Sequence, residues 1–394
     1  MKRRDWLTAV GAGLVPLIGC GRDTSTETAG VAVEPLAKFP GKVPMRVVND
    51  SPPCLETPWK YYRDDFTPND AFYVRWHLRA LPTEVDPETW RLNLDGHVER
   101  PTEWSLKQLK TFEQVTIAAV NQCSGNSRSF SSPRVPGAQW KNGGLGNARW
   151  TGVRLKDLLD KAGVKKGAVE VEFDGLDKGP LESVPDFVKA LSIDRAREPE
   201  ILIATEMNGE PLPMLNGFPA RLVVPGYYAT YWVKALDRIT VLDHACESYW
   251  MTKAYKIPDN PTASETSDNL AKKTLPIQKL NVRSFLVSPE PNSRIAVSRP
   301  CTLDGIAFDG GVGIKKVELS FDDGKSWRDA RLGEDHGNYS FRRWKFDWTP
   351  QARGSQSLLV RATNLEGKTQ SDKPIWNRGG FMRNVIERCD LYII

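Results

Sequence analysis

Histidine is the scarcest chemistry-bearing residue in this chain, with 4 in 394 residues. That shortage argues against a protein holding several haems or zinc ions, which lean on imidazole ligands. Cysteine is also sparse, at 6, and no CxxC pair or CxxCH haem-attachment string occurs. Charge of one sign never accumulates. Lys plus Arg, 54, exceed Asp plus Glu, 49, by 5, without a five-residue block of like charge, so the balance gives no reason to expect nucleic acid as a partner. What is plentiful is turn formers and tryptophan: 31 Gly, 28 Pro and 13 Trp, the composition of a body rich in strands and turns. With 40% hydrophobic and 26% charged residues, a chain of this length is expected to form two or three folded domains.

Residues 1–20 read MKRRDWLTAVGAGLVPLIGC. A basic start precedes an apolar run that is too short for a membrane-spanning helix, the pattern of an export signal. Arg3-Arg4 resembles a twin-arginine signal, and Leu17-Ile18-Gly19-Cys20 resembles a bacterial lipobox, in which Cys20 is acylated and becomes the mature first residue. The other reading is a plain signal peptide with a chance cysteine. On both, the mature protein is expected to be exported to the periplasm; on the first, Cys20 carries a lipid anchor. Residues 21–40 begin GRDTSTETAG, a polar tether.

The body from 41 to 256 mixes element types. Ser105 is placed to cap a short helix over LKQL, and VTIAAV (115–120) has the β-branched character of a buried strand. Leu155, Leu158 and Leu159 share a helical face that Gly163 is suited to end, while Val169, Val171 and Phe173 alternate as in a strand. Residues 257–282 form a Pro-, Ser-, Thr- and Lys-rich linker. Beyond it alternation alone remains. Val317, Leu319 and Phe321 lead into an Asp323-Gly324 turn, followed by Trp344, Phe346 and Trp348 and by Leu358, Val360 and Ala362. This pattern over 283–394 predicts an all-β sandwich of immunoglobulin-like type. The fold class is therefore α+β followed by all-β.

Chemistry concentrates in NQCSGNSRSF, residues 121–130, directly after the apolar strand. Gly and Asn allow a tight loop there, and a cation such as Arg128 favours the thiolate that metal ligation or nucleophilic attack requires. An inert loop thiol is the alternative for Cys123. Cys54, Cys246, Cys301 and Cys389 match no metal spacing and are read as buried thiols or as one or two disulfides of open pairing.

These strings, in this order, resemble the sulfite oxidase family of molybdenum-pterin enzymes, and most closely its bacterial sulfite dehydrogenase branch. The resemblance spans about residues 45–394 and rests on YVRWH (73–77), QCSGNSR (122–128), GNARWTGVRL (146–155), EMNGEPLP (206–213), GFPARLVVPG (217–226), WVKAL (232–236), AYK (254–256) and PIWN (374–377). It implies a molybdopterin-binding domain, a C-terminal dimerisation domain and one molybdenum–molybdopterin per chain, with the Cys123 sulfur on the metal. It implies that Arg75, Arg128 and Trp140 shape an anion pocket and that Tyr255 hydrogen-bonds beside the reacting oxygen. His77, Arg221 and Lys234 would hold the cofactor, joined by the backbone at Asn147, Ala148 and Arg149.

The implied reaction is oxidation of sulfite to sulfate. The resemblance covers no counterpart of the haem domain of the animal enzymes, so the expected acceptor is a separate c-type cytochrome. Two departures stand out. Family members often carry a W-N-x-R string, whereas here Arg378 follows Asn377 directly; Arg378 or Arg383 completes the pocket, or the pocket is less basic. Ala254 precedes Tyr255 where animal relatives carry an acid. Alternatives are a methionine sulfoxide reductase, a sulfane dehydrogenase and, outside enzymes, an anchored binding or adhesion protein.

Overall fold

The computed structural model describes residues 36, 37 and 39–394; the export signal, Cys20 and most of the tether lie outside the described residues. Strands dominate, and the helices are few and short. Two of them follow the local sequence logic closely. Ser105 caps Leu106–Leu109 with a reciprocal capping box, its Oγ accepting from Gln108 N while Gln108 Oε1 accepts from Ser105 N. Leu155–Ala162 buries Leu155, Leu158, Leu159 and Ala162, and Gly163 ends it at a φ of 73° that a glycine adopts without steric cost.

Two sheets position the front of the molecule. One five-stranded sheet runs Lys189–Ser192, Glu170–Gly175, Leu236–Leu242, Arg91–Gly96 and Thr102–Ser105, with Leu236–Leu242 parallel to Arg91–Gly96. The other is antiparallel and places Gln114–Gln122 against Leu145–Arg154, which pairs onward with Leu202–Met207. Together they bury a core that includes Trp90, Leu94, Trp150, Leu158, Phe173, Ile203 and Ile239. A smaller sheet carries Cys54–Glu56 and Val74–Arg75 side by side, with Cys54 opposite Arg75.

The back of the chain is a second β unit of two sheets, four strands in one and five in the other. Leu303 and Trp344 from the first sheet and Val317, Leu319, Val360 and Leu391 from the second share one core, so alternation in the sequence has become two facing sheets. The Asp323-Gly324 pair takes positive φ at both positions, 59° and 86°, between Ile314–Ser320 and Arg328–Asp329, the turn geometry that suits a twisted hairpin.

The stretch read as a linker is more ordered than its composition suggested. Lys256–Pro258 pairs with Thr274–Pro276, and Ile277 and Leu280 are buried. They belong to a third core that joins Tyr62, Val120 and Tyr228 of the front to Phe285, Phe308 and Phe381 of the back. All five described cysteines are free thiols, which removes disulfides from the options left open for Cys54, Cys246, Cys301 and Cys389.

Candidate active site

The strand Gln114–Gln122 runs straight into Cys123, which is 7% exposed. Both backbone groups of Cys123 are committed locally: its N–H donates to Gly144 O at 2.8 Å and its carbonyl accepts from Asn126 N at 3.0 Å. Asn126 fixes the loop on two sides, accepting from Gly144 N at 2.9 Å and donating to Gln122 Oε1 at 3.3 Å. Ser127 sits at a φ of 71°, a conformation that costs a non-glycine residue energy and persists only where the surroundings hold it. Its N–H donates to Lys141 O at 2.6 Å, and its Oγ accepts from Arg283 at 2.7 Å.

Arg128 leaves this loop and lies flat. Its Nε donates to Gly379 O at 2.9 Å, its Nη1 to Ala138 O at 3.1 Å, and its guanidinium covers the Phe381 ring at 5.3 Å. A Cβ at Gly137 would come within 2.7 Å of Arg128 Nη1; the guanidinium rests where only a glycine leaves room.

Four segments meet at one small cavity. Phe72, Tyr73, Arg75 and His77 come from the first, Asn121, Cys123 and Ser124 from the second, Leu215, Asn216, Arg221, Thr230 and Lys234 from the third, and Tyr255 from the fourth. The structure thus brings together Arg75, His77, Cys123, Arg221, Lys234 and Tyr255. Tyr73, Asn121 and Asn216 were missed, although each lies within or beside a string already singled out. Tyr73 donates to Asn121 Oδ1 at 2.5 Å, and Asn216 Nδ2 donates to Tyr73 O at 3.0 Å. Nothing in the sequence marked Ser124 or Thr230 individually.

Electrostatics at the cavity favour anions. Arg221 is 3% exposed, donates to Asn216 O and Trp232 O at 2.9 and 3.1 Å, and is drawn down to about 10 by burial, so it stays charged near neutrality. Lys234 lies 4.6 Å over the Trp76 ring and is pulled below its ordinary value by burial and by the neighbouring Arg221, which primes it to gain from an anion. Burial alone would lower Arg75, but Tyr255, Cys54 and Cys123 outweigh it and hold the guanidinium above its ordinary value.

His77 and Tyr255 form a hydrogen-bonded pair through Nε2 and the phenolic oxygen. Burial and the Arg75 cation push His77 well below its ordinary value, so the ring is neutral; burial raises Tyr255, so the phenol keeps its proton. Phe187 stacks on the imidazole at 3.7 Å and fixes its plane. Tyr255 itself holds a φ of 53°, a strained backbone that aims the hydroxyl.

Other expected residues lie elsewhere. Trp140 is fully buried behind the wall, edge-on to Tyr73 at 6.1 Å. The structure does not bring Asn147, Ala148 and Arg149 to the cavity lining. They sit mid-strand opposite Val120, Ala119 and Ala118; the Asn147 amide is used by Asp65 O and Ser340 Oγ, and Arg149 stacks outside over Phe66 at 3.8 Å. Arg378 is taken by Glu265, with Nε and Nη2 at 2.9 and 2.7 Å, and Arg383 faces Glu387 at 3.4 Å. Neither lines the cavity.

Residues 78–250 match the oxidoreductase molybdopterin binding domain, and residues 274–393 match the Mo-co oxidoreductase dimerisation domain. The site and fold therefore define a molybdopterin oxidoreductase with a dimerisation domain. Mitochondrial sulfite oxidase of Homo sapiens is 32% identical over 377 residues, covering 91% of this chain and 68% of that protein. Sulfite oxidase of Arabidopsis thaliana is 28% identical over 338 residues, covering 80% and 85%. The chain belongs to the sulfite oxidase family. In fold it is similar to the sulfane dehydrogenase SoxCD of Paracoccus pantotrophus, with a TM-score of 0.74 over 94% of this chain and 92% of that one, at 24% identity.

The cofactor of this family is molybdenum–molybdopterin, and the residues present fit it. Asn121 Nδ2, Ser124 Oγ, Thr230 Oγ1, Arg221 Nε and His77 Nδ1 all belong to residues lining the cavity, and all are buried without a hydrogen-bond partner among the described residues. Buried polar atoms are costly unless something pairs with them, and a pterin rich in donors and acceptors is such a partner. Cys123 supplies a soft thiolate for the metal, and Arg221 and Lys234 supply cations for a phosphate.

Proposed function

We propose that this protein oxidises sulfite: sulfite and water give sulfate, two protons and two electrons. The observation that carries the reading is the convergence of the Cys123 thiol, the Arg75 guanidinium and the Tyr255–His77 pair on one small cationic cavity. Molybdenum–molybdopterin, when bound, supplies the two-electron oxidation and the oxygen delivered to sulfur. Arg75 offers fork-shaped donors that match two sulfite oxygens and neutralise their charge, leaving the sulfur lone pair free to face inward. With His77 carrying its hydrogen at Nε2, the Tyr255 hydroxyl would accept from it and leave its own proton free to face an oxygen of the substrate. His77, held neutral, orients the phenol without becoming charged itself. Lys234 and Arg221 stay on the cofactor side.

Beyond the site, the reading places the mature protein outside the cytoplasm, held by a lipid on Cys20, working as a homodimer through residues 274–393 and passing electrons singly to a c-type cytochrome. The sandwich is of immunoglobulin-like type. The test is direct. Cofactor-loaded protein is offered sulfite with an oxidised acceptor, and separately methionine sulfoxide with a reduced one. Sulfite-dependent reduction of cytochrome c supports the proposal; turnover of the sulfoxide alone overturns it.

A further inference from the structure

Three consecutive residues, Phe187, Val188 and Lys189, brace the His77–Tyr255 pair. Phe187 stacks on the His77 imidazole at 3.7 Å and meets the Trp250 ring at 5.1 Å. Val188 O accepts from Ser248 Oγ at 3.2 Å, where the short helix Tyr249–Thr252 begins. Lys189, the first residue of the strand Lys189–Ser192, donates to Trp250 O at 2.8 Å. One of the three therefore fixes the imidazole by its ring, and the other two pin the segment that leads into Tyr255.

Lysine is seldom buried without a carboxylate beside it. Lys189 is 1% exposed, yet among the described residues its ammonium has no ion pair, and its one hydrogen bond is to Trp250 O. It lies instead over two aromatic rings, 4.6 Å from the centre of Tyr231 and 5.6 Å from that of Tyr255. The negative faces of such rings stand in part for a counter-ion. Besides the two tyrosines, the titratable groups facing Lys189 are His77, Glu170, Cys246 and Lys256. Lys189 does not line the cavity, so it reaches the reacting atoms only through the pair it braces.

We infer that Lys189 is a positioning residue for Tyr255: its ammonium holds the segment that carries the phenol and, lying over the ring, makes the hydroxyl a stronger hydrogen-bond donor to the reacting oxygen. The inference rests on the sulfite-oxidising reading and adds to it a residue outside the cavity. A cation over a phenol favours the build-up of negative charge on its oxygen. The same charge acts on His77, where burial, Arg75 and Lys234 come first and Lys189 adds to them in keeping the ring neutral. Burial brings Lys189 itself from 10.5 down to about 7. The ammonium is therefore present below about pH 7 and lost as the pH rises through that value, and its help to Tyr255 fades over the same interval.

The test follows kcat and KM for sulfite across neutral pH in the holoenzyme, with ferricyanide as acceptor, for the unaltered protein, Lys189→Met and Lys189→Arg. On the acid side of neutrality, kcat is expected to fall about tenfold in Lys189→Met with KM for sulfite unchanged, and to be restored in Lys189→Arg. In the unaltered enzyme kcat declines as pH rises through about 7; Lys189→Arg, charged throughout, is spared that decline, and Lys189→Met lacks it. Unchanged kcat in Lys189→Met, or an equal loss in both variants with the pH profile unmoved, would overturn the role of Lys189 and leave the sulfite reading standing. A second readout needs no turnover. The Cζ resonance of carbon-13-labelled Tyr255, assigned by its loss in Tyr255→Phe, should shift as the unaltered protein crosses about pH 7 and shift less in Lys189→Arg. An equal shift in both would overturn the contact. No sulfite-dependent reduction of ferricyanide by the unaltered enzyme would overturn the sulfite reading itself.

Discussion

Arg283, in the first strand of the C-terminal domain, donates to Ser127 Oγ at 2.7 Å in the loop that carries Cys123. The same guanidinium reaches Asn142 Oδ1 and Glu387 Oε1, each at 2.8 Å, and is 1% exposed. The back of the chain therefore does more than pack. It holds the strained turn at Ser127, four residues beyond Cys123.

Replacing Arg283 tests that coupling. Arg283→Met strands Glu387, leaving it only the longer contact to Arg383, and removes one of the bonds that hold Ser127, whose N–H still reaches Lys141 O and whose Oγ still reaches Asn142 Oδ1. Breaking a buried ion pair in this way costs about 3–5 kcal/mol, so the variant should melt at a lower temperature and bind less molybdenum. Adding Glu387→Gln should recover part of the melting temperature. Thermal scans with metal analysis read both, and a variant with unaltered melting and metal content would show that the domain contact is passive.

Tyr255→Phe removes one oxygen from the cavity and keeps the ring that stacks on Phe381 at 5.6 Å. Loss of a positioned proton donor should lower kcat about a hundredfold, while KM for sulfite, set mainly by Arg75, changes little. Steady-state assays with ferricyanide separate the two constants. A variant with unchanged kcat would remove Tyr255 from the chemistry.

A pH effect follows from two buried lysines. Lys42, 4% exposed, donates to Asn69 O, Phe72 O and Asn216 Oδ1; Lys189, 1% exposed, donates to Trp250 O. Burial brings each from 10.5 down to about 7. Between those values the unfolded chain holds protons that the folded chain lacks. Stability should therefore rise with pH from about 7 toward 10, by up to ~1.4 kcal/mol per pH unit for each lysine, and the gain is absent below about 7. In urea near pH 8.5, unfolding of Lys42→Met should take up about one proton fewer than the wild type. Equal uptake, followed with a pH electrode, would contradict this assignment.

Much of the fold was legible because its signals are local. The strand before Cys123, the Leu155–Ala162 helix with its glycine stop and the Asp323-Gly324 turn each depend on residues a few positions apart. The cysteine loop was legible for the same reason. The contact between Arg283 and Ser127 was not, since 156 residues separate the partners and no periodicity records a polar bond across two domains. Arg378 illustrates the same limit. Its position suggested the anion pocket, but Glu265, 113 residues away, holds it outside. Asn147 to Arg149 stood in a recognisable string, yet none of the three lines the cavity: the Asn147 amide is spent on Asp65 O and Ser340 Oγ, and Arg149 stacks over Phe66.

X-ray absorption at the molybdenum edge, on the loaded wild type and on Cys123→Ser, tests the central assignment most directly. The account predicts that the variant folds, with one sulfur neighbour fewer around molybdenum than in the wild type, and no longer oxidises sulfite. An unchanged sulfur shell in the variant, or sulfite oxidation at the wild-type rate, would contradict it.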